Sequence, residues 1–336
     1  MRRIAGVVLA VAGLLGTGGA LIAQDIDKPD GLFPVLQDGL WGYMDRTGKV
    51  VIPPRWHLAW RFSEGLAPVA VGETWGYIDT AGRYVVEPRY QYGGVFNSGL
   101  AHVEFDGQQG FIDRDGKTAV PFGLNGARDF HEGLALVWIS RRACFIDPTG
   151  KTVISTNAGR AFSMSDGLAR IGGQKPGGSR WDVVWGYVDR QGKTVIEPQF
   201  DWAGDFGDGL APVKLGEKFG YMDKSAKTVI EGRFELADRF SQGLAAVKEN
   251  GKWGYIDRTG KLVIPARFDE AEPFSDDLAR VRSGELWGYV DKSGALVIEP
   301  RLNWAEDFID GLAGVWVEGK FGYVDREGKF VRTPTR

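Results

Sequence analysis

The sequence predicts an all-β repeat protein: a tandem array of nine three-stranded antiparallel meanders with a 34-residue repeat, laid out as an open curved β-solenoid in preference to a closed propeller-like ring. Three observations lead there. The positions Trp41, Trp75, Gln109, Ala143, Trp185, Phe219, Trp253, Trp287 and Phe321 are separated by 34 residues at every step except Ala143 to Trp185, where the interval is 42. A fixed period along the chain is the signature of a repeat architecture. Glycine is abundant, 49 in 336 residues, and evenly spread, which calls for many tight turns. The apolar positions are β-branched or aromatic and tend to alternate, as half-buried strands do. Helical repeats of the same period exist, but several glycines and often a proline in each unit weaken or break helices.

The chain opens on Arg2 and Arg3, then a short apolar run from Ile4 to Leu15, then small residues including Ala20 and Ala23. This reads as a signal peptide over residues 1–23, followed by a leader over 24–30 and a single repeat domain over 31–336. The run is short and glycine-rich for a membrane span, so the expected destination is secreted or periplasmic. An uncleaved segment would be the one route to a membrane. Net charge is -3, and -5 without Arg2 and Arg3; scattered charges of this sign argue against a nucleic-acid partner. Cys144 is the single cysteine, so no internal disulfide can form.

One unit shows how the others are built. Gly243 to Val247 forms a first strand, and Asn250-Gly251 supplies the positive φ of a hairpin turn. Trp253 to Asp257 forms a second strand. Asp257-Arg258-Thr259-Gly260 is a type I turn with Asp at its first position. Lys261 to Ile264 forms a third strand, stopped by Pro265. Phe268, Ala271 and Phe274 follow at a spacing of three, on a connector expected to hold about one helical turn. Such a meander buries too little apolar surface to stand alone, so neighbours must stack.

The motif Trp-Gly-Tyr-x-Asp stands at Trp41 to Asp45, Trp75 to Asp79, Trp185 to Asp189, Trp253 to Asp257 and Trp287 to Asp291, with Phe219 and Phe321 replacing Trp in two further copies. In this the chain resembles the WG-repeat (KWG-repeat) family of bacterial proteins. The resemblance implies a repeat module, often exported, with no shared catalytic residue. Two units depart from it: Gln109-Gly110-Phe111, and Ala143-Cys144-Phe145, which loses both Trp and Gly. An insertion within 172–184 follows them and enlarges one first-to-second-strand turn.

No catalytic constellation, metal-ligand spacing or phosphate loop is present, so an enzyme is not expected and no cofactor is implied. The recurring aspartates, Asp45 through Asp325, read as turn closures rather than a cation ladder. Arg55, Arg89, Arg233, Arg267 and Arg301 are expected to pair with acids or stack on rings. The motif tryptophans read as core between repeats. Trp138 and Trp316 occupy a first-strand slot that elsewhere holds Glu104, Lys214, Lys248 or Arg282, so they are candidates for partner contact, or else are shielded by a connector. Trp181 and Arg180 on the insertion loop are further candidates. The favoured function is an exported, non-catalytic scaffold that binds another protein through its repeat surface. The alternative is a cell-envelope glycan or peptidoglycan binder using exposed tryptophans. The open array is preferred because each unit supplies three strands where propeller blades have four, and because no strand is left over to latch the last unit to the first.

Overall fold

In the computed structural model the described residues are 31–175, 177–179 and 182–335; the expected signal peptide and leader lie outside them. The nine meanders form nine separate sheets. They close into a ring, a nine-bladed β-propeller. The second unit is representative. Its strands Leu58–Ala59, Leu66–Val71, Thr74–Asp79 and Tyr84–Tyr90 pair antiparallel in sequence order.

Two expectations are thereby corrected. The blades are not limited to three strands: the connector, read from sequence as carrying a helical turn, contributes a short extra strand along the first strand in seven of the nine sheets. In the third, fifth and seventh blades the connector positions that suggested a helix sit on a strand bent by a register shift, as between Ala237 and Phe240; in the eighth, Ala271 lies on the two-residue strand Glu270–Ala271 and Phe274 follows it. In the sixth blade the same edge is held by isolated bridges, Ala203 to Val213 and Gly207 to Leu210. In the first blade, described from Gly31, only Leu32–Gln37, Leu40–Asp45 and Val50–Trp56 are paired.

The array is also not open. Phe33, Val35 and Met44 of the first blade form one core with Leu312, Phe321 and Tyr323 of the ninth. Phe33 meets Tyr323 edge-on at 5.8 Å, and Trp41 lies 5.5 Å from Phe321. No exchanged strand is needed, because blades join face to face through side chains, and the last junction also joins them by aromatic packing and an ion pair.

Those contacts come from fixed positions. The motif tyrosine of one blade donates its hydroxyl to a connector carbonyl of the next: Tyr77 to Gly94 at 2.9 Å, Tyr221 to Asp238 at 2.7 Å, Tyr255 to Glu272 at 2.7 Å. Its ring meets the next connector's phenylalanine edge-on, Tyr43 with Phe62 at 4.7 Å and Tyr255 with Phe274 at 5.0 Å. Arg89, Arg267 and Arg301 each give a guanidinium N–H to a glycine carbonyl of the next blade, Gly116, Gly294 and Gly328, at 2.7–2.9 Å. Arg89 and Arg267 also lie over their neighbouring rings, Tyr90 and Phe268, at 5.0 and 4.9 Å. In several blades an acid before the first strand accepts the next blade's glycine N–H, as Asp208 does from Gly243 at 2.7 Å. Asp276 does so for Gly311 and pairs with Arg326. Asp310 pairs with Arg46 in the same relation across the closure.

The aspartates close turns as expected, with Asp257 Oδ1 accepting from Thr259 N at 2.9 Å and Lys261 N at 3.1 Å. The glycine after the motif tryptophan permits close approach of the third strand: a Cβ on Gly254 would stand 2.5 Å from the Ile264 carbonyl oxygen. Where Cys144 replaces that glycine, the third strand ends early at Ser155 and pairs directly, Cys144 with Ser155.

Two outcomes follow. Gly254→Ala should cost about 1–3 kcal/mol, the range for overpacking, read as a lowered denaturation midpoint; an unchanged midpoint contradicts the close approach. Phe33→Ala should cost about 3–5 kcal/mol, as for a buried aromatic. It should also raise hydrogen exchange in both Leu40–Asp45 and Lys320–Asp325, whereas an open array would show exchange rising in the first blade alone.

Candidate functional site at the ring axis

The connector strand is the innermost of each blade. Side chains on connectors of blades that are not neighbours feel each other's charge: Arg61 in the second blade is coupled to Asp129 in the fourth and Glu306 in the ninth. This is possible only around a shared axis. The third strands lie outermost, with exposed residues such as Val51, Val85 and Val229.

Strand direction then sorts the turns. The first-to-second-strand hairpins lie on one face of the ring, the hairpin face. The aspartate turns and the inter-blade ion pairs at Asp276 and Asp310 lie on the other, the turn face. The hairpin face carries exposed apolar side chains: Val71, Phe105 and Ile139 at successive hairpin tips are 43%, 48% and 42% exposed. Tyr92, Trp202, Leu236 and Trp304 at connector starts are 37–43% exposed. Tyr90, Phe105 and Phe122 are in edge or tilted contact at 6.1 and 5.9 Å.

Around the axis, charge comes in brackets. The third residue of a first strand points at the next blade's connector. Arg280 donates to Asp307 Oδ1 at 2.7 Å and to the Ala305 carbonyl at 2.7 Å, with Trp287 and Trp304 within 5.7 Å. Arg170 pairs with Asp205 at 3.2 Å, donates to the Ala203 carbonyl, and stacks 3.8 Å over Phe162. The same slots between the third and fourth blades hold His102 and Asp129. There the bracket is incomplete: His102 Nε2 and Asp129 Oδ1 are covered and have no hydrogen-bond partner. Burial holds the His102 imidazole down at about 4. Burial pushes Asp129 up to about 6, against the pull of Arg61 and Arg128. Glu306, Asp238 and Glu272 are raised by burial as well.

The residues singled out from sequence fall elsewhere. Trp138 is half-buried over its own connector, where a Cβ on Gly126 would come 2.8 Å from its ring, and it packs on the core of the fourth and fifth blades. Trp316 is half-buried, 5.3 Å from Phe321, and stands opposite Trp304 in register. Both are thus engaged within their own blades. Trp181 and Arg180 lie outside the described residues. Sequence reasoning missed the axial acids and His102. Their signal was available: slot 102 alternates among Pro, Leu, Ala, Gly, His and Arg, and its two arginines face acids exactly one connector later in the repeat frame. Among the described residues no group of three or more His, Cys, Asp or Glu could hold a metal ion, and no helix is long and apolar enough to cross a membrane, which leaves β-barrels aside.

A nine-bladed ring of Trp-Gly-Tyr blades with a charged axis defines the class, a repeat β-propeller. The profile of the WG containing repeat matches residues 41–75, 75–108, 110–137, 185–219, 219–253, 253–287 and 287–321, and the chain belongs to that family. No curated protein matches the chain. Among solved structures it is similar to the crystal structure of the eukaryotic initiation factor, with TM-score 0.64 and 11% identity over 92% of this chain and 96% of that one. It is also similar to the Dos1 propeller, with TM-score 0.41 and 12% identity over 79% and 90% of the two chains. Dihydro-heme d1 dehydrogenase NirN in complex with DHE gives TM-score 0.44 and 13% identity over 88% and 83%. At 11% identity the first of these is a likeness of fold alone.

His102 should make stability pH-dependent. Its folded pKa is depressed from 6.5 to about 4, so its contribution is fully present above pH 6.5 and lost as pH falls towards 4, by roughly 3 kcal/mol at most. Asp129, raised to about 6, acts in the opposite sense, stabilising below its unfolded value and losing that as pH rises through 6. Comparing wild type with His102→Leu isolates the first effect; Leu136 shows that the slot accepts leucine. The variant's stability relative to wild type should rise between pH 6.5 and 4; parallel profiles would exclude this role.

Proposed function

We propose that this protein is a non-catalytic scaffold, exported from the cell, that binds another protein on the hairpin face of the ring over its second to fourth blades. The observation that carries this is the exposed apolar series Val71, Phe105 and Ile139 on successive hairpin tips. Large exposed apolar side chains grouped on one face, with aromatic residues among them, are characteristic of protein contact surfaces. The turn face offers the opposite chemistry, ion pairs and backbone bonds already committed to neighbouring blades. The family fold supports a binding role, and the departures at Gln109 and Ala143 fall in the same sector. The signal-like residues 1–23 support export.

The test is a comparison by affinity purification from envelope extract. The double variant Phe105→Asp/Ile139→Asp should lose the protein that co-purifies with wild type while its thermal midpoint stays within about 2 °C, as for exposed sites. Retention of that protein by the folded double variant rejects the surface. Export is checked separately: the mature N-terminus should follow Ala20 or Ala23.

A further inference from the structure

The axis holds two brackets closed by an arginine–aspartate ion pair and one that has no arginine. Arg280 and Arg170 each fill a fixed site made by an aspartate and the carbonyl of an alanine two residues before it, with aromatic rings alongside. Between the third and fourth blades the aspartate and the alanine are kept, as Asp129 and Ala127, but His102 stands where the arginine would be. An imidazole is shorter than an arginine side chain and brings no guanidinium to the aspartate. The surroundings are cleared in step. Gly94 stands where the fifth blade has Phe162, the ring under Arg170, and Gln109 where it has Trp185. Gln109 turns its Oε1 to the Ala127 N–H at 2.8 Å. The clearance at Gly94 is itself required, since a Cβ there would come 2.9 Å from Asp129 Oδ1.

Asp129 makes no hydrogen bond or ion pair with any described residue. Its Oδ1 is covered, while the residue as a whole remains partly open towards the axis. An aromatic surface is also at hand, because Tyr92 is 39% exposed and lies 5.4 Å from His102. A carboxylate with a free oxygen, a carbonyl and a ring edge together match a planar cation better than a point charge.

We propose that the niche between His102 and Asp129 binds a guanidinium group supplied in trans, completing the third bracket. The ligand is either a free guanidino compound or an arginine side chain of a bound protein; the second source rests on the scaffold reading above. The charged and titratable groups coupled to Asp129 are Arg61 from the second blade's connector, Arg128 from its own, Tyr77 and Tyr92, and the backbone of His102 lies beside Gly94 next to Asp129 Oδ1. Neither Arg61 nor Arg128 forms an ion pair with Asp129 among the described residues, and Glu306 offsets Arg61. The tyrosines stay neutral. Asp129 is therefore the group that titrates between pH 5 and 7.5, and guanidinium affinity should fall as pH drops through about 6.

The experiment is calorimetric titration of the full chain with agmatine at pH 7.5, with cadaverine as the non-planar control and the amide of Gly-Arg-Gly as a protein-like arginine. Wild type should bind agmatine, at least tenfold tighter than cadaverine. Asp129→Asn should weaken agmatine at least tenfold. His102→Arg, which restores the internal bracket, should abolish binding and raise the thermal midpoint, so the proposal stays testable even if the first variant misfolds. Binding of both agmatine and the peptide assigns the site to a partner's arginine, and binding of agmatine alone to a free compound. Equal affinity for cadaverine, no binding to wild type at millimolar agmatine, or unaltered binding in His102→Arg would overturn it. Phe105→Asp/Ile139→Asp should leave agmatine binding intact, so failure of the hairpin surface and failure of the niche are read separately.

Discussion

The ring rests on one repeated contact, made at six junctions by the motif tyrosine of one blade against the connector of the next. Its ring is buried edge-on against a phenylalanine, and its hydroxyl satisfies a connector carbonyl that would otherwise be covered without a partner. Both halves are needed. Apolar packing alone does not choose a register between neighbouring sheets, whereas a buried carbonyl has one place to find a donor, and leaving it unmet costs about 1–3 kcal/mol. Burial holds these phenols well above their ordinary range, so the donor stays a donor at any physiological pH. Phe111 shows what happens without the hydroxyl. It keeps the ring contact, 5.0 Å from Phe130, and the junction loses its side-chain bond at the same place where the axial bracket is unfinished.

Closure follows from that contact rather than from a latch. A ring made of equivalent junctions closes when the last blade meets the first with the same chemistry. Phe33 makes this possible: it stands where other blades have alanine, as at Ala67 and Ala101, and puts an aromatic ring against Tyr323. The junction is adapted rather than identical. Arg332 takes the place of the isoleucine or valine that other third strands turn inward, and it reaches Gln37 at 3.2 Å. Gly48 meets Val331 instead of the following residue.

Much of the blade was legible in the sequence because its turns and strands are set by local chemistry: Asn-Gly, Asp-x-x-Gly, alternating apolar residues and a stopping proline. The closed ring was not, because curvature is the sum of small angles between sheets, and no single residue encodes it. The anomaly at Phe33 was visible as a break in the alanine column, yet its meaning depends on knowing that Tyr323 lies beside it. The connector was misread for a related reason. Spacing three is shared by a helical turn and by a strand with a bulge, and only its pairing with the first strand distinguishes them. Trp138 and Trp316 were singled out because their column also accepts charged residues. A half-exposed column tolerates lysine and arginine by letting their stems lie flat, and tryptophan by the same geometry, so tolerance of charge did not mark a free surface.

The two units that lose most of the Trp-Gly-Tyr motif are neighbours. Gly94, His102, Gln109 and Phe111 sit in one blade, and Ala143 and Cys144 in the next. Above them, on the hairpin face, are Phe105 and Ile139. A repeat that only had to be stable would be expected to lose motif residues anywhere around the ring, since each junction costs about the same to weaken. Here Gln109 and Ala143 give up tryptophan packing, and Phe111 and Phe145 give up the tyrosine hydroxyl, in two adjacent blades. Gln109 makes the point most directly. It gives up the packing of a tryptophan, yet its amide oxygen still holds the Ala127 N–H and so keeps the neighbouring connector in place. The backbone of the sector is thus retained while its side-chain filling is removed, and this is the pattern expected where a scaffold makes room for something that is not part of the chain.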